Sequence, residues 1–311
     1  MPCYHPLPAW YSKERNASGK RAIVFKIAEA YTDRPLSLPC GRCIGCRLEY
    51  ARQWAVRCMH EASLWDSNCF LTLTYSDAYL PQNGSLRPRD VVLFLKRLRK
   101  QYGAGIRFFQ CGEYGEQLAR PHHHMLLFNH RFGDAVRVRD SVGTNGTGDA
   151  LYSSAELSRL WPWGFAGIGE VTFQSAGYVA RYSLKKVRGP DADWHYSGRV
   201  PEYLTMSRRP GIGSTWIHRF AADVYPSDEL IVNGKVTRPP RYYDNAMTKF
   251  RPEAIVKSYL DKQMLSRIKT RRRGRAYGDP DSTGKRLLVR EAVKVSAVKF
   301  LSRKFEGSDD S

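Results

Sequence analysis

The chain has 311 residues, 42% of them hydrophobic, and its 50 lysines and arginines against 30 acids leave a formal charge of +20 and a pI near 9.8. That length can bury a full core, and one large or two ordinary domains are expected. No apolar stretch approaches membrane-spanning length and Met1-Pro2-Cys3-Tyr4-His5-Pro6 has no signal-peptide character, so the expectation is a soluble protein that stays inside a cell and has no membrane partner. The charge calls for a polyanion, with nucleic acid ahead of membrane. Seven cysteines, an odd number, point to reduced thiols.

Residues 1–39 mix short apolar pieces with Pro, Ser and Lys without a long period, which predicts an irregular arm. Cys40, Cys43 and Cys46 follow at Cys-x-x-Cys-x-x-Cys spacing, which can wrap a structural zinc ion if Cys3 or His5 supplies a fourth ligand. The alternative is free thiols at the start of a helix. That helix is read from Leu48, Ala51, Ala55, Cys58, Met59 and Ala62 at helical spacing, with Arg47, Arg52 and Arg57 off the stripe.

Cys69-Phe70-Leu71-Thr72-Leu73-Thr74-Tyr75 alternates and is rich in β-formers, so a strand is expected. Pro88 suits the first turn of a helix bearing Val91, Val92, Leu95 and Leu98, whose end carries Lys96, Arg97, Arg99 and Lys100 to match its dipole. A strand over residues 106–111 comes next, and Gly112-Glu113-Tyr114-Gly115 reads as a loop into the strand Pro121-His122-His123-His124-Met125-Leu126-Leu127-Phe128.

A long polar loop rich in Gly and Asp (residues 133–149) lacks the Lys-Ser/Thr pair of a phosphate-binding loop. After it the pattern predicts a short helix over 155–161, a strand over 166–173 and a helix over 177–186 capped by Ser175. Composition shifts after Arg188-Gly189-Pro190. The expected division is therefore an arm with a Cys-rich segment and helix (1–63), a core (64–190) and a basic C-terminal region (191–311). In the last, Ser207-Arg208-Arg209-Pro210-Gly211-Ile212-Gly213 and Arg238-Pro239-Pro240-Arg241-Tyr242-Tyr243 read as loops. The run 267–275 contains no acid, and its Arg271, Arg272, Arg273 and Arg275 suit salt-sensitive contacts with phosphates. Val289, Val293, Ala297 and Phe300 mark a final basic amphipathic helix.

Two groups of residues carry chemistry. Side chains alternate along a strand, so His122 and His124 point the same way and can grip one divalent ion, with Glu113 as third ligand or Glu116 in its place. Two imidazoles and a carboxylate leave coordination positions open, as catalysis requires. On the helix over 177–186, Tyr178 and Tyr182 are i and i+4 and share a face, with Lys185 and Lys186 about a turn further on. Two phenols on one face can act in turn as nucleophiles when a nearby cation favours phenolate.

In combination, the His-x-His strand, the Tyr-x-x-x-Tyr helix and the preceding Phe-Leu-Thr-Leu-Thr-Tyr strand resemble the three motifs of the HUH endonuclease superfamily. Residues 1–6, Pro39-Cys40-Gly41-Arg42-Cys43-Ile44-Gly45-Cys46-Arg47, Gly112-Glu113-Tyr114-Gly115 and Ser207-Arg208-Arg209-Pro210-Gly211 further resemble the replication initiation proteins of gokushovirus-type Microviridae, small single-stranded DNA phages. His123 departs from the pattern, which prefers an apolar or aromatic residue there. The resemblance implies an α+β fold with a central antiparallel sheet, ferredoxin-like or RNA-recognition-motif-like, flanked by helices. It implies Mg²⁺ or Mn²⁺ on His122, His124 and Glu113, and attack by Tyr178 or Tyr182 on an origin phosphate to give a 5′-phosphotyrosine and a free 3′-OH. Lys185, ahead of Lys186, would offset the transition-state charge. The same resemblance implies single-stranded origin DNA, a host polymerase and helicase as partners, and the cytoplasm of a bacterial host. The competing readings are a metal-dependent nuclease using activated water and a non-catalytic single-stranded DNA-binding protein.

Overall fold

The computed structural model describes residues 3–305 apart from 18, 20, 116–117, 139–149, 183–185, 188, 226, 233 and 250–282. Its first part corrects the irregular arm. Strands β1 (Leu7–Arg15), β2 (Arg21–Val24) and β3 (Ala30–Leu38) form an antiparallel sheet in the order β2-β1-β3. Only Ala9 of β1 is buried, so the apolar alternation that betrays a strand is missing. Pro35 lies in β3, an edge strand, opposite Trp10, where its lack of an N–H is tolerated.

Helix α1 (Ile44–Ala62) leads to β4 (Asn68–Thr74), α2 (Pro88–Tyr102), β5 (Arg107–Tyr114) and β6 (Pro121–Phe128). Then come β7 (Val136–Arg137), β8 (Tyr152–Ser153), α3 (Ala155–Leu160), β9 (Ala166–Gly169) and α4 (Phe173–Tyr182). Pro88 is at the start of α2, where a missing N–H costs nothing, and Asp90 lies in its first turn. A short α5 (Ala192–Tyr196) precedes β10 (Tyr203–Met206). The seven-stranded sheet runs β10-β5-β6-β4-β9-β8-β7, with every pairing antiparallel.

Helices cover both faces. On one, Leu71, Leu73, Met125 and Leu127 pack against Phe94, Leu95 and Leu98 of α2 and Leu157 and Leu160 of α3. On the other, Phe109, Leu126 and Phe128 meet Ala51, Ala55 and Cys58 of α1 and Ala176, Val179 and Ala180 of α4. The small residues of α1 and α4 let both helices lie close to the strands. The expected α+β class, with a central antiparallel sheet flanked by helices, is what the chain adopts.

Beyond residue 190 the chain returns to this sheet through β10, which pairs with β5. It continues as α6 (Ser214–Val224), the hairpin β11 (Leu230–Val232) and β12 (Lys235–Thr237), and α7 (Arg241–Lys249). Ile217, Val224, Tyr243, Ala246 and Met247 pack with Val56 of α1. Arg241-Tyr242-Tyr243, read as loop, thus open a helix behind two prolines. Glu61 of α1 anchors the 207–213 turn, accepting from Gly213 N at 2.7 Å and from Arg107 Nε at 2.5 Å. The last helix, α8 (Gly284–Phe305), buries Leu287 and leaves Val289 and Val293 exposed, so the valine stripe is not its packing face.

Candidate active site

The strand register sorts the three histidines. Glu113 is directly opposite His122 across the β5–β6 pair, while Cys111 and Thr72 flank His124 from β5 and β4. Glu113, His122 and His124 therefore lie on the face covered by α1 and α4, and His123 on the face covered by α2. Glu113 projects from β5 itself, which corrects the loop expected over 112–115. A glycine followed by Glu-Tyr-Gly looks like a turn, but Gly112 has another reason to be glycine. A Cβ there would be 2.5 Å from Tyr203 Cε1 and 3.0 Å from His123 Nδ1. Glu116 lies outside the described residues.

The three candidate ligands converge. Glu113 Oε1 is 2.9 Å from His122 Nε2 and 2.8 Å from His124 Nε2, and the three ligand atoms lie within 4.8 Å of one another. The side chains of Glu113 and His124 are nearly inaccessible, with 1% and 6% exposed. His122 Nδ1 is 3.1 Å from the Arg120 carbonyl, which can only accept, so Nδ1 carries a hydrogen and Nε2 is the atom left to face the carboxylate. Two acceptors that close need a cation or a proton between them. Donors about 2.1 Å from one ion and at right angles are about 3.0 Å apart, close to the separations found. The second carboxylate oxygen, Glu113 Oε2, is buried without a hydrogen-bond partner, so it too fits a cation. Burial pushes the Glu113 carboxyl up, but hydrogen bonds and charge interaction with the two histidines outweigh it and hold it below the usual carboxylate range.

Supporting contacts orient the imidazoles. His124 is stacked parallel on Phe70, centroids 5.6 Å apart, and its Nδ1 is 3.2 Å from Thr72 Oγ1. Such outer partners fix ring orientation and tautomer. The opposite face is different in kind. His123 is fully buried, with Tyr75 Oη 3.2 Å from Nε2 and Tyr203 Oη 3.3 Å from Nδ1, and Tyr75 Oη donates to Asp90 Oδ2 at 3.0 Å. Burial brings its pKa down to about 3. His123 thus occupies the apolar position of the resembled pattern as a neutral, core-like residue. Sequence reasoning missed Tyr75, Asp90 and Tyr203, which lie far apart in the chain. Thr72 was the readable signal, as a polar residue inside a β-rich strand.

Helix α4 starts at Phe173, earlier than the 177–186 expected, and the preceding strand stops at Gly169. Thr172 Oγ1 accepts from Ser175 N at 3.1 Å and Ser175 Oγ accepts from Thr172 N at 2.8 Å, a reciprocal cap in which Ser175 is the inner partner. Gly177 of α4 faces Ala55 of α1, where even an added Cβ would sit at ordinary contact distance, 4.0 Å. The next residue, Tyr178, is half-buried and meets the His124 ring edge-on, centroids 5.0 Å apart at 85°. The structure thus brings together Glu113, His122, His124 and Tyr178. Tyr182 is one turn along α4, its side chain outside the described set. Lys186 is half-buried just before Val187, whose N–H donates to Tyr196 Oη at 2.9 Å. Lys185, Arg271, Arg272, Arg273 and Arg275 lie outside the described residues.

A second cluster joins the ends of the N-terminal segment. Cys3, Cys40, Cys43 and Cys46 bring their Sγ atoms within 4.8 Å of one another, with no disulfide among them. Cys3 completes the set, because His5 pairs instead with Glu291 of α8, Nε2 to Oε2 2.5 Å.

Replication-associated protein VP4 of Bdellovibrio phage phiMH2K is 36% identical over 266 residues, covering 81% of this chain and 79% of that protein. This chain belongs to the replication-associated protein family. Residues 68–187 match the family described as replication-associated protein ORF2/G2P, a segment that runs from the start of β4 past α4 and contains the whole Glu113–His122–His124–Tyr178 arrangement. Replication-associated protein ORF2 of Spiroplasma virus 4 is 36% identical over 68% of each chain. Replication-associated protein ORF4 of Chlamydia phage 1 is 31% identical over 68% of this chain and 54% of its own. No solved structure gives a significant match. Among the described residues no helix is long and apolar enough to cross a membrane.

Proposed function

We propose that this replication-associated protein initiates rolling-circle replication of a single-stranded DNA phage as an HUH-type nickase and ligase, working in the cytoplasm of the bacterial host. The observation that carries the reading is Tyr178 seated edge-on against His124, 5.0 Å away, beside a convergent His-His-Glu trio. The working unit is the 64–190 core together with β10, whose Tyr203 packs behind the ligand-bearing strands.

Glu113, His122 and His124 are the residues that would hold Mg²⁺ or Mn²⁺. Such an ion, when bound, polarises the scissile phosphate and favours phenolate at a nearby tyrosine. A free phenol ionises near pH ~10 and is a weak nucleophile at neutral pH, so closeness to the trio is what qualifies Tyr178. Its oxygen bonds to phosphorus, the P–O3′ bond breaks, and the departing oxygen takes a proton to become the 3′-OH that primes a host polymerase. Tyr182 supplies the second nucleophile after one round, when the released 3′-OH closes the displaced circle. Lys185, ahead of Lys186, offsets charge on the pentavalent phosphorus. The basic run 267–275 adds sequence-independent contacts to the DNA backbone, and strand separation is left to a host helicase.

The test is a denaturing gel after incubation with single-stranded origin DNA and Mn²⁺. A covalent protein–DNA band is expected in wild type, in Tyr178→Phe and in Tyr182→Phe, and is expected to vanish in the double variant. Cleavage without any adduct would mean a water nuclease, and binding without cleavage would mean a DNA-binding protein; either outcome overturns the proposal.

A further inference from the structure

We propose that Cys3, Cys40, Cys43 and Cys46 bind one zinc ion in a closed four-thiolate site, and that this site clasps the N-terminal segment, the start of α1 and α8 together. The reading is independent of the nicking chemistry.

Three of the sulfurs are local, but the fourth arrives from 37 residues upstream of Cys40, where its Sγ accepts from Cys40 N at 3.2 Å. Four sulfurs each about 2.3 Å from a tetrahedral ion lie about 3.8 Å apart, and here all four lie within 4.8 Å of one another. Backbone amides surround them: Tyr4 N donates to Cys43 Sγ at 3.3 Å, and Arg42 N and Cys43 N donate to Cys40 Sγ at 3.4 and 3.3 Å. Amide donors aimed at sulfur suit thiolates, since a thiol is only a weak acceptor. Gly41, at φ +73°, makes the tight turn between the first two local ligands.

A simple apolar cluster explains the arrangement less well. Cys58, Cys69 and Cys111 show what core cysteines do in this chain: each is fully buried among aliphatic and aromatic neighbours of the main sheet. The four at issue gather at one edge, two of them only partly buried, with Tyr4 and Leu287 as their only buried partners from outside the set among the described residues. Four convergent soft ligands with no open position select zinc and make its role structural.

Leu287 of α8 is buried in this cluster, and Glu291, one turn on, holds His5 beside Cys3. Loading the site therefore fixes where α8 docks. The acid-free run 267–275 precedes α8 in sequence, so the clasp tethers the chain's most basic stretch to the folded body.

Metal analysis and zinc-edge X-ray absorption on the full-length protein, purified without added metal, test the site. One zinc per chain with four sulfur neighbours at about 2.3 Å is expected, and His122→Ala should retain it while Cys3→Ser weakens zinc retention about 100-fold or more in chelator competition. Less than about half an equivalent of zinc, a shell of nitrogen and oxygen, three sulfurs with one nitrogen, or an iron–sulfur chromophore overturns the assignment. Hydrogen exchange before and after zinc removal tests the clasp. Amides of β1 and of residues 284–298 are expected to lose protection together, and a protected α8 in the zinc-free protein overturns the coupling.

Discussion

On the α4 side of β6, His122 and His124 face a carboxylate. On the α2 side, His123 between them faces the phenols of Tyr75 and Tyr203. The residue type and the strand are the same, and His124 is nearly as buried as His123, so the difference between these two lies in the partners. A carboxylate confronting two ring nitrogens leaves a place for positive charge, whereas phenols satisfy a neutral imidazole and burial then removes its basicity. His60 on α1 belongs with the second kind. Its Nδ1 is 2.8 Å from Tyr243 Oη, its ring stacks 3.6 Å from Trp216, and burial lowers its pKa to about 4.

The contrast can be broken by moving one residue at a time. The largest effect is expected from His124→Ala, which should lower metal-dependent nicking on the order of 10³-fold while circular dichroism shows an intact fold; near-normal nicking would remove His124 from the metal-holding set. His123→Ala should do the reverse. It opens a cavity and strands two phenols, costing about 3 kcal/mol of stability in urea unfolding, with nicking at low temperature reduced far less than in His124→Ala.

His60 gives the pH dependence of the phenol-facing kind. Its folded pKa of about 4 is below the ordinary 6.5, so its contribution is complete above pH ~6.5 and is lost as pH falls toward ~4, where the unfolded chain takes a proton that the folded one refuses. The loss should be on the order of 3 kcal/mol across that window. Urea midpoints of wild type and His60→Phe should converge on acidification, and parallel curves would show that His60 is not the group responsible. The smallest effect is expected from Thr72→Val, which keeps the shape of the strand and removes the oxygen beside His124 Nδ1. Metal affinity by calorimetry should fall about 10-fold, with stability almost unchanged.

Much of this arrangement was legible in the sequence because it rests on short periods. A period of two puts His122 and His124 on one face of β6, and helical spacing places Tyr178 on α4 beside them. Contacts between distant segments were not legible. Nothing near His123 announces Tyr75 or Tyr203, and Gly112 reads as a turn until the Tyr203 ring is seen to need its missing Cβ. The β1–β3 sheet escaped because its strands are largely exposed. The start of α4 escaped because Thr172 and Ser175 can each cap a helix, and only their hydrogen bonds decide between them.

The pairing of β10 with β5 has a practical consequence. A fragment cut at residue 190 would keep Glu113, His122, His124 and Tyr178 and still be a poor substitute for the whole. With Tyr203–Met206 gone, β5 becomes an outer strand whose unpaired amides and carbonyls invite a neighbouring molecule to add its own strand. Self-association along the strand that bears Glu113 is the expected fate of such a fragment, and extending it through residue 206 is the minimal remedy.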